Sequence, residues 1–233
     1  MLNETIQIKV KSRLNKIDSI DYPDLPPWSI EEAFNQAQSN FTRRLLQGVD
    51  QTRTGAEGSI RRIDDLNVLL TDWKPTLTAS DIYYETPVIP ADYLQFSRLS
   101  VMYKTECCPP RRMVSYLREV ADVELQLRDT NNRPSPEWAE TFHTVQNNKY
   151  RIYTNGLFTL ESPVITYYRS PRRVEFLGSM NVYTGVVTTV DVLSEFSDDV
   201  IEVLINDTCN ILAGDIENSF QENREAGLVN NNT

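Results

Sequence analysis

Apolar side chains recur at helical spacing near both ends of the chain. Steps of three or four residues place them on one face of a helix, which faces a protein core. Two helices are predicted near the N-terminus, at Asn3–Ser19 and Ser29–Gln47, and a third of about 25 residues is predicted after Ser197. The three predicted apolar faces consist of Ile6, Val10, Leu14 and Ile17, then Ile30, Ala33, Phe34, Ala37, Phe41 and Leu45, then Val200, Ile201, Leu204, Ile205, Ile211, Leu212, Ile216 and Phe220.

Local signals predict where the second helix begins and ends. Ser29 and Glu32 have the spacing of a capping box, in which each side chain accepts a backbone hydrogen bond from the other residue. Trp28 occupies the preceding position, from which an apolar side chain packs on the first turn. Gly48 is a typical C-terminal stop. These signals predict that the helix begins after Ser29.

The central part of the chain has a different pattern, with runs of β-branched and aromatic residues between turn signals. Asn147-Asn148 separates two alternating runs, so a hairpin is predicted between Thr141–Gln146 and Lys149–Thr154. The apolar positions within Arg118–Asp129 follow neither the helical nor the strand period cleanly. This segment is interpreted as a helix, with a strand as the alternative. The other predicted strands are Tyr93–Tyr103, Arg112–Leu117 and Val164–Tyr168.

These elements predict an α+β fold. Helices from the N- and C-terminal segments are expected to form a helical bundle, into which an antiparallel β-rich region is inserted. The predicted bounds are 1–75 and 196–225 for the bundle and 76–195 for the inserted region. Residues 226–233 are polar and rich in Asn, and we expect a flexible tail there.

Charge and hydropathy narrow the classes of protein. The chain has 233 residues and a formal net charge of −10. A general coat for nucleic acid is therefore not expected, because such binding needs Lys and Arg to replace counterions on phosphate. No stretch has the length of a membrane span, and the N-terminal residues lack the apolar core of a signal peptide. We expect a soluble protein with no membrane contact, not secreted by the usual route.

Residue types that commonly carry catalysis or bind metals are scarce. The only histidine is His143, on a predicted strand, and Cys107, Cys108 and Cys209 lack the spacing of a zinc site. The eight glycines match neither phosphate-binding motif. Acidic pairs at 64–65 and 198–199 lie where helix-capping or solvated carboxylates are expected. No catalytic residue, cofactor or metal is predicted, and we expect the protein not to be an enzyme.

Arginine dominates the basic residues, with 17 of 23. Adjacent pairs occur at 43–44, 61–62, 111–112 and 172–173. The planar guanidinium pairs well with carboxylates across an interface, and the chain has 33 acidic residues. Interface residues between copies of the chain are therefore predicted, with solvated strand ends and helix faces as the alternative. The predicted interface residues are Arg111, Arg112, Arg172 and Arg173.

Several longer segments carry a family resemblance. They are RRMVSYLRE (Arg111–Glu119), PEWAETF (Pro136–Phe142), KYRIYTNG (Lys149–Gly156), SPVITYYRSPRRV (Ser162–Val174) and DDVIEVLINDTCNILAGDIEN (Asp198–Asn218). With RLNKIDSIDY, SIEEAFNQAQSNFTRRLLQG and RRIDDLNVLL, they cover most of residues 5–225. Together they resemble a structural protein family of crAss-like gut bacteriophages, which forms rings in the neck and tail barrel of a short-tailed virion.

The resemblance implies a phage connector- or tail-adaptor-like fold and a virion structural protein. It implies a ring of about twelve copies that extends the portal channel and takes part in genome retention and ejection. The implied partners are the portal or neighbouring ring and tail proteins, with packaged double-stranded DNA passing through the lumen without specific recognition. The protein would be made in the bacterial host cytoplasm and reside in the neck or tail of the virion. The alternative is an accessory binding domain outside the virion, or a small enzyme.

Overall fold

The chain divides into two compact units. The computed structural model describes residues 1–15, 25–47, 64–105 and 108–230, with side chains in the last helix described as far as Gly214. Unit 1 comprises Met1–Val68 and Pro171–Thr233, and unit 2 comprises Leu69–Ser170. Residues 171–195, which the sequence analysis assigned to the inserted region, thus belong to unit 1.

The described residues form helices in both units and strands in unit 2. The helices are α1 (Asn3–Asn15), α2 (Pro27–Gln47), α3 (Val123–Arg128) and α4 (Asp198–Asn230). Residues 64–67 form a helical turn, and a 3₁₀ turn at Val120–Asp122 precedes α3. The strands are β1 (Leu70–Trp73), β2 (Thr78–Ala79), β3 (Tyr83–Glu85), β4 (Tyr93–Thr105), β5 (Cys108–Leu117), β6 (Glu140–Gln146), β7 (Lys149–Tyr153) and β8 (Thr159–Arg169).

The apolar faces predicted for the terminal helices form the core of unit 1. All six predicted positions of α2 are buried, and α2 packs along α4. Removing such faces from water is the main source of helix stability in a folded protein. The three predicted helices are therefore confirmed as core elements. The predicted positions of α1 and α4 that are buried are Ile6, Val10, Leu14, Val200, Ile201, Leu204, Ile205 and Leu212. Ile211 is half-buried, and the side chains of Ile17, Ile216 and Phe220 lie outside the described residues.

The predicted helix ends need correction. The capping box at Ser29 is wrong, because α2 begins at Pro27 and the Ser29 N–H donates to the carbonyl of Pro26 at 3.0 Å. Proline suits the first helical position, where its fixed φ is helical and its missing N–H has no partner to lose. The predicted continuation of α1 to Ser19 lies outside the described residues. At the other end of the chain, α4 continues to Asn230.

An irregular segment, residues 171–197, completes unit 1 by packing on α2. The amide side chain of Asn35 pairs with the backbone of Val174 in both directions, at 2.9 and 2.8 Å. The backbone N–H of Phe176 donates to the buried carboxylate of Glu31 at 3.0 Å. Phe196 contacts Phe41 edge to face, with ring centroids 5.8 Å apart. Buried polar side chains of α2 therefore satisfy the backbone of a segment that has no regular structure of its own.

Unit 2 is built on one eight-stranded sheet in the order β1-β8-β4-β5-β6-β7-β3-β2. Every neighbouring pair is antiparallel except β5–β6, which is parallel. The sheet is curled, and its strands bury a common apolar cluster. The buried members are Leu99, Val101, Tyr103, Met113, Tyr150, Ile152, Phe158, Leu160 and Ile165.

The predicted hairpin at Asn147-Asn148 is confirmed as β6–β7. Val145 lies opposite Tyr150, and Gln146 lies opposite Lys149. The two asparagines have φ values of 54° and 58°, the left-handed conformation that two-residue hairpin turns require. Asn tolerates positive φ better than most residues do, which is why the Asn147-Asn148 pair predicted a hairpin turn.

The predicted fold class is wrong. The chain is not a helical bundle with an inserted antiparallel region and a connector-like fold; it is mostly an eight-stranded mixed sheet, curled into a half-barrel, with helices. A parallel pair such as β5–β6 cannot be joined by a tight turn, and residues 118–139 supply the crossover. The helix predicted within Arg118–Asp129 is confirmed in part as α3, on this crossover. Strand periodicity does not encode the direction of pairing, so the mixed topology was not predicted.

Candidate interaction surfaces

His143 lies in the core of unit 2. Its Nδ1 is 2.8 Å from the hydroxyl oxygen of Ser115, and its ring lies against those of Phe96 and Tyr150, with centroids 5.0 and 5.5 Å apart. Both His143 and Ser115 are buried, and the His143 Nε2 has no hydrogen-bond partner among the described residues. Burial disfavours the imidazolium and lowers the pKa of His143 to about 3. The side chain is therefore neutral at physiological pH.

A serine beside a histidine can form a nucleophile–base pair, but catalysis also requires a substrate to reach the serine. Ser115 is only 4% exposed and lies on the inner face of the sheet with His143. The arrangement fits a role in packing, with the hydroxyl satisfying one imidazole nitrogen in the core.

The two cysteines that the structure describes, Cys108 and Cys209, belong to different units. Cys209 is buried in α4 with its Sγ 3.9 Å from the carbonyl oxygen of Val10, and burial raises the pKa of its thiol. Cys108 is at the exposed start of β5, and Cys107 lies outside the described residues. Within the ranges that the structure describes, no group of three or more His, Cys, Asp or Glu side chains could hold a metal ion. No helix in those ranges is long and apolar enough to cross a membrane.

Arg111 and Arg112 are exposed on β5 and point to opposite faces of the sheet. Parallel pairing with β6 begins only at Val114, so the first half of β5 pairs with β4 alone in the described structure. Pro109 and Pro110 lack N–H groups, and arginines follow them. The first half of β5 is therefore a sheet edge, and prolines and charged side chains at an edge hinder pairing with a strand from another molecule. Arg112 also lines a surface groove of about 890 Å³ with Lys74 and other residues.

Arg172 and Arg173 have different environments in unit 1. The Arg173 guanidinium is 2.7 Å from a carboxylate oxygen of Glu32 and 4.6 Å from the centre of the Tyr183 ring. The Tyr183 hydroxyl donates to the other Glu32 oxygen at 3.0 Å. Burial acts to raise the pKa of Glu32, but the hydrogen bonds from Arg173 and Tyr183 outweigh it and hold that pKa below its ordinary value. Arg173 thus joins α2 to residue 183 within the protomer.

The Arg172 side chain extends into solvent. It is 67% exposed, and its guanidinium is 3.8 Å from Glu195. In the other predicted pairs, Arg43 and Arg44 are exposed on α2 and Arg44 pairs with Asp207, while Arg61 and Arg62 lie outside the described residues. The four predicted interface arginines do not form one cluster within either unit, and their role between copies stays a prediction.

Residues 175–192 form a looped extension of unit 1, which we call the arm. Two isolated bridges close it, between Glu175 and Val192 and between Met180 and Val187. At its base, the Asn3 side-chain amide donates to the carbonyls of Glu175 and Val192 at 2.9 and 3.2 Å. At its tip, Gly185 has a φ of 67° and its N–H donates to the carbonyl of Asn181. The arm therefore has an ordered backbone.

The arm exposes many apolar side chains. Leu177, Tyr183, Val186 and Val190 are each between 63% and 72% exposed. Further exposed apolar side chains of the arm are Met180, Val182 and Val187. Scattered apolar residues are common on protein surfaces, but a group of this size on one short segment is typical of an interaction site.

Sequence reasoning did not single out the arm. Val186, Val187 and Val190 lie within residues 76–195, which were predicted to be β-rich, and no interaction surface was predicted there. The one available signal was this concentration of valines without an alternating polar face. Whether such a face is covered by the rest of the chain depends on tertiary packing, which the pattern does not contain.

No protein-family model matches the chain, and no curated protein is similar to it in sequence.

Proposed function

We propose that this protein is a structural subunit of a bacteriophage virion that assembles into a ring of the neck or tail barrel. Two observations support the proposal: the resemblance of its sequence segments to ring proteins of crAss-like phages, and the apolar arm. Of these, the arm carries the structural argument. The ring would extend the portal channel, contact the portal or neighbouring ring and tail proteins, and let packaged DNA pass without specific recognition.

The arm suits a contact between copies of the chain. Burying a Val or Leu side chain completely contributes about 1.5–3 kcal/mol, so four side chains that are two-thirds exposed would contribute about 4–8 kcal/mol. Association itself costs an estimated 4–15 kcal/mol, which makes one such contact weak in isolation. A head-to-tail interface that closes into a ring gives every copy two contacts. Closure would therefore stabilise an assembly that a single arm contact would not.

The backbone order of the arm strengthens this argument. A segment that is already held in one conformation loses little entropy when a partner covers it. The Asn3 hydrogen bonds at the base of the arm and the Arg173–Glu32–Tyr183 contacts near its tip hold it in this way.

The test compares the molar mass of the full chain with that of an arm variant by light scattering coupled to size exclusion. The arm variant carries Val182→Ser, Val186→Ser and Val190→Ser, all at exposed positions. The matched control carries Val88→Ser, Val120→Ser and Leu125→Ser, which are exposed in unit 2. We expect the wild type and control to form a closed oligomer, and the arm variant to be a folded monomer with an unchanged far-UV circular dichroism spectrum.

Two results would contradict the proposal. The first is a wild-type chain that stays monomeric at high concentration, which would refute self-assembly. The second is an arm variant that forms the same oligomer as the wild type, which would place the contact elsewhere.

A further inference from the structure

A rigid turn in unit 2 displays the most exposed large apolar side chain of the described residues, Trp138, at 77%. Ser135 and Glu140 exchange two backbone hydrogen bonds across the turn, at 3.0 and 3.3 Å. The Tyr103 hydroxyl donates to the carbonyl of Pro136 at 2.8 Å. Ala139 has a φ of 54°, in the left-handed region that strains a residue with a Cβ atom because the Cβ crowds the following carbonyl oxygen. Strain of this kind persists only where the surroundings hold it, and it clusters at functional sites.

Trp138 borders a cavity of about 260 Å³ whose floor is aromatic. Phe142 lines it from β6 and is stacked on Tyr153 of β7, with ring centroids 4.8 Å apart. Tyr116 lies directly opposite Phe142 on β5 and lines the same cavity. Cross-strand aromatic pairs of this kind stiffen a sheet, so the floor and one wall of the cavity are preformed.

The rim of the cavity is polar and carries a surplus of positive charge. Arg118, Arg133, Glu140, Gln126 and Asn131 all line it. Neither arginine side chain makes an ion pair or hydrogen bond among the described residues, whereas Glu140 accepts a long hydrogen bond of 3.4 Å from the Tyr116 hydroxyl. Two guanidinium groups and one carboxylate give the rim a formal charge of +1, on a chain whose net charge is −10. The rim thus offers hydrogen-bond donors and acceptors, and it has one more cationic group than it has anionic groups.

We propose that this cavity binds a saccharide that bears a carboxylate group. A sugar ring has an apolar C–H face that packs on an aromatic ring, and its hydroxyls both donate and accept. Planar guanidinium and carboxylate groups can bind two adjacent oxygens at once, and the amides of Gln126 and Asn131 can donate and accept. The arginine in excess matches a sugar carboxylate. A phosphate monoester fits less well, because its charge of about −1.5 to −2 at pH 7 exceeds the single positive charge in excess on the rim, whereas a carboxylate carries one negative charge.

The test is saturation-transfer difference NMR on the full chain with two probes, methyl β-D-glucuronide and methyl β-D-glucoside. The probes share a ring and differ in that the glucuronide carries a carboxylate at C6. We expect transfer to the glucuronide, with an affinity about tenfold above that for the glucoside, because charge-assisted hydrogen bonds are the stronger kind. Trp138→Ala should abolish the transfer, and Arg118→Gln with Arg133→Gln should remove the preference for the glucuronide.

Matched controls separate binding from folding. Trp28→Ala removes a half-exposed tryptophan of unit 1, and Arg128→Gln removes an exposed arginine that pairs with Glu124 and does not line the cavity. Both should bind like the wild type, and every variant should keep the wild-type melting temperature.

Three results would overturn the proposal. The wild type could transfer saturation to neither sugar, or the Trp138→Ala variant could bind as the wild type does. A signal from adenosine 5′-monophosphate in the absence of a signal from either sugar would identify a nucleotide site instead. Because the variants lie in the cavity and not in the arm, failure of this test would leave the ring proposal unaffected.

Discussion

Replacing His143 by glutamine should make the protein more resistant to acid. His143 is buried and neutral, with its Nδ1 facing Ser115 and its Nε2 without a partner among the described residues. Glutamine has a similar length, can still bond the Ser115 hydroxyl and does not titrate. The variant therefore removes the proton-binding group and keeps a polar side chain in its place.

The magnitude follows from proton linkage. The pKa of His143 is about 3 in the folded protein, against an ordinary value of 6.5 that applies when the chain is unfolded. Above pH 6.5 neither state binds the proton, so the neutral imidazole costs no stability. Between pH 6.5 and 3 only the unfolded state binds it, and the free energy of unfolding falls by about 1.4 kcal/mol per pH unit. At pH 5 the wild type should thus have lost about 2 kcal/mol through this one group.

The assay is urea unfolding at pH 8 and pH 5, at one protein concentration, followed by tryptophan fluorescence. Carboxylates common to both proteins cancel when the pH dependence of wild type and variant is compared. We expect His143→Gln to lose about 2 kcal/mol less than the wild type between the two pH values. Ser115→Ala keeps the histidine and serves as the control that must stay acid-sensitive. Equal pH dependence of wild type and His143→Gln would refute the buried, neutral imidazole.

Two further predictions concern unit 1. We expect Arg172→Ala to leave the melting temperature unchanged and to affect assembly only. We expect Arg173→Ala to raise the rate of proteolytic cleavage within the arm, because it removes the contacts with Glu32 and Tyr183. Equal cleavage rates of the two variants would show that these contacts do not hold the arm. The α4 side chains lie in the core of unit 1, so a chain that ends at Phe196 should be insoluble, or unfolded as measured by circular dichroism. For the same reason, Leu204→Ala should lower the free energy of unfolding in urea by about 2–5 kcal/mol. A soluble, cooperatively folded truncation would show that α4 is not part of the unit 1 core.

Local chemistry explains what could be predicted from the sequence. The β6–β7 hairpin was predicted because Asn147 and Asn148 are among the few residue types that accept positive φ. The apolar stripe of α2 was predicted because helical spacing repeats from Ile30 to Leu45. The start of the same helix was predicted wrongly, since both Pro27 and Ser29 are favourable near a helix N-terminus and only the structure shows which of them begins it.

Long-range packing explains what could not be predicted. The parallel pairing of β5 with β6 depends on the path of the crossover, which carries no periodic signal. The environment of His143 is set by Ser115 and Phe96, which lie on two other strands. The exposure of Trp138 and of the arm was not predicted either, because an apolar side chain in a sequence is expected to be buried.

Electron microscopy of the assembled chain, alone or bound to a phage portal, would show directly whether the arm joins neighbouring copies of a ring. We expect closed rings in which residues 175–192 of each copy are covered by the neighbouring copy. Rings in which the arm of every copy faces solvent, or a sample that contains single copies only, would contradict it.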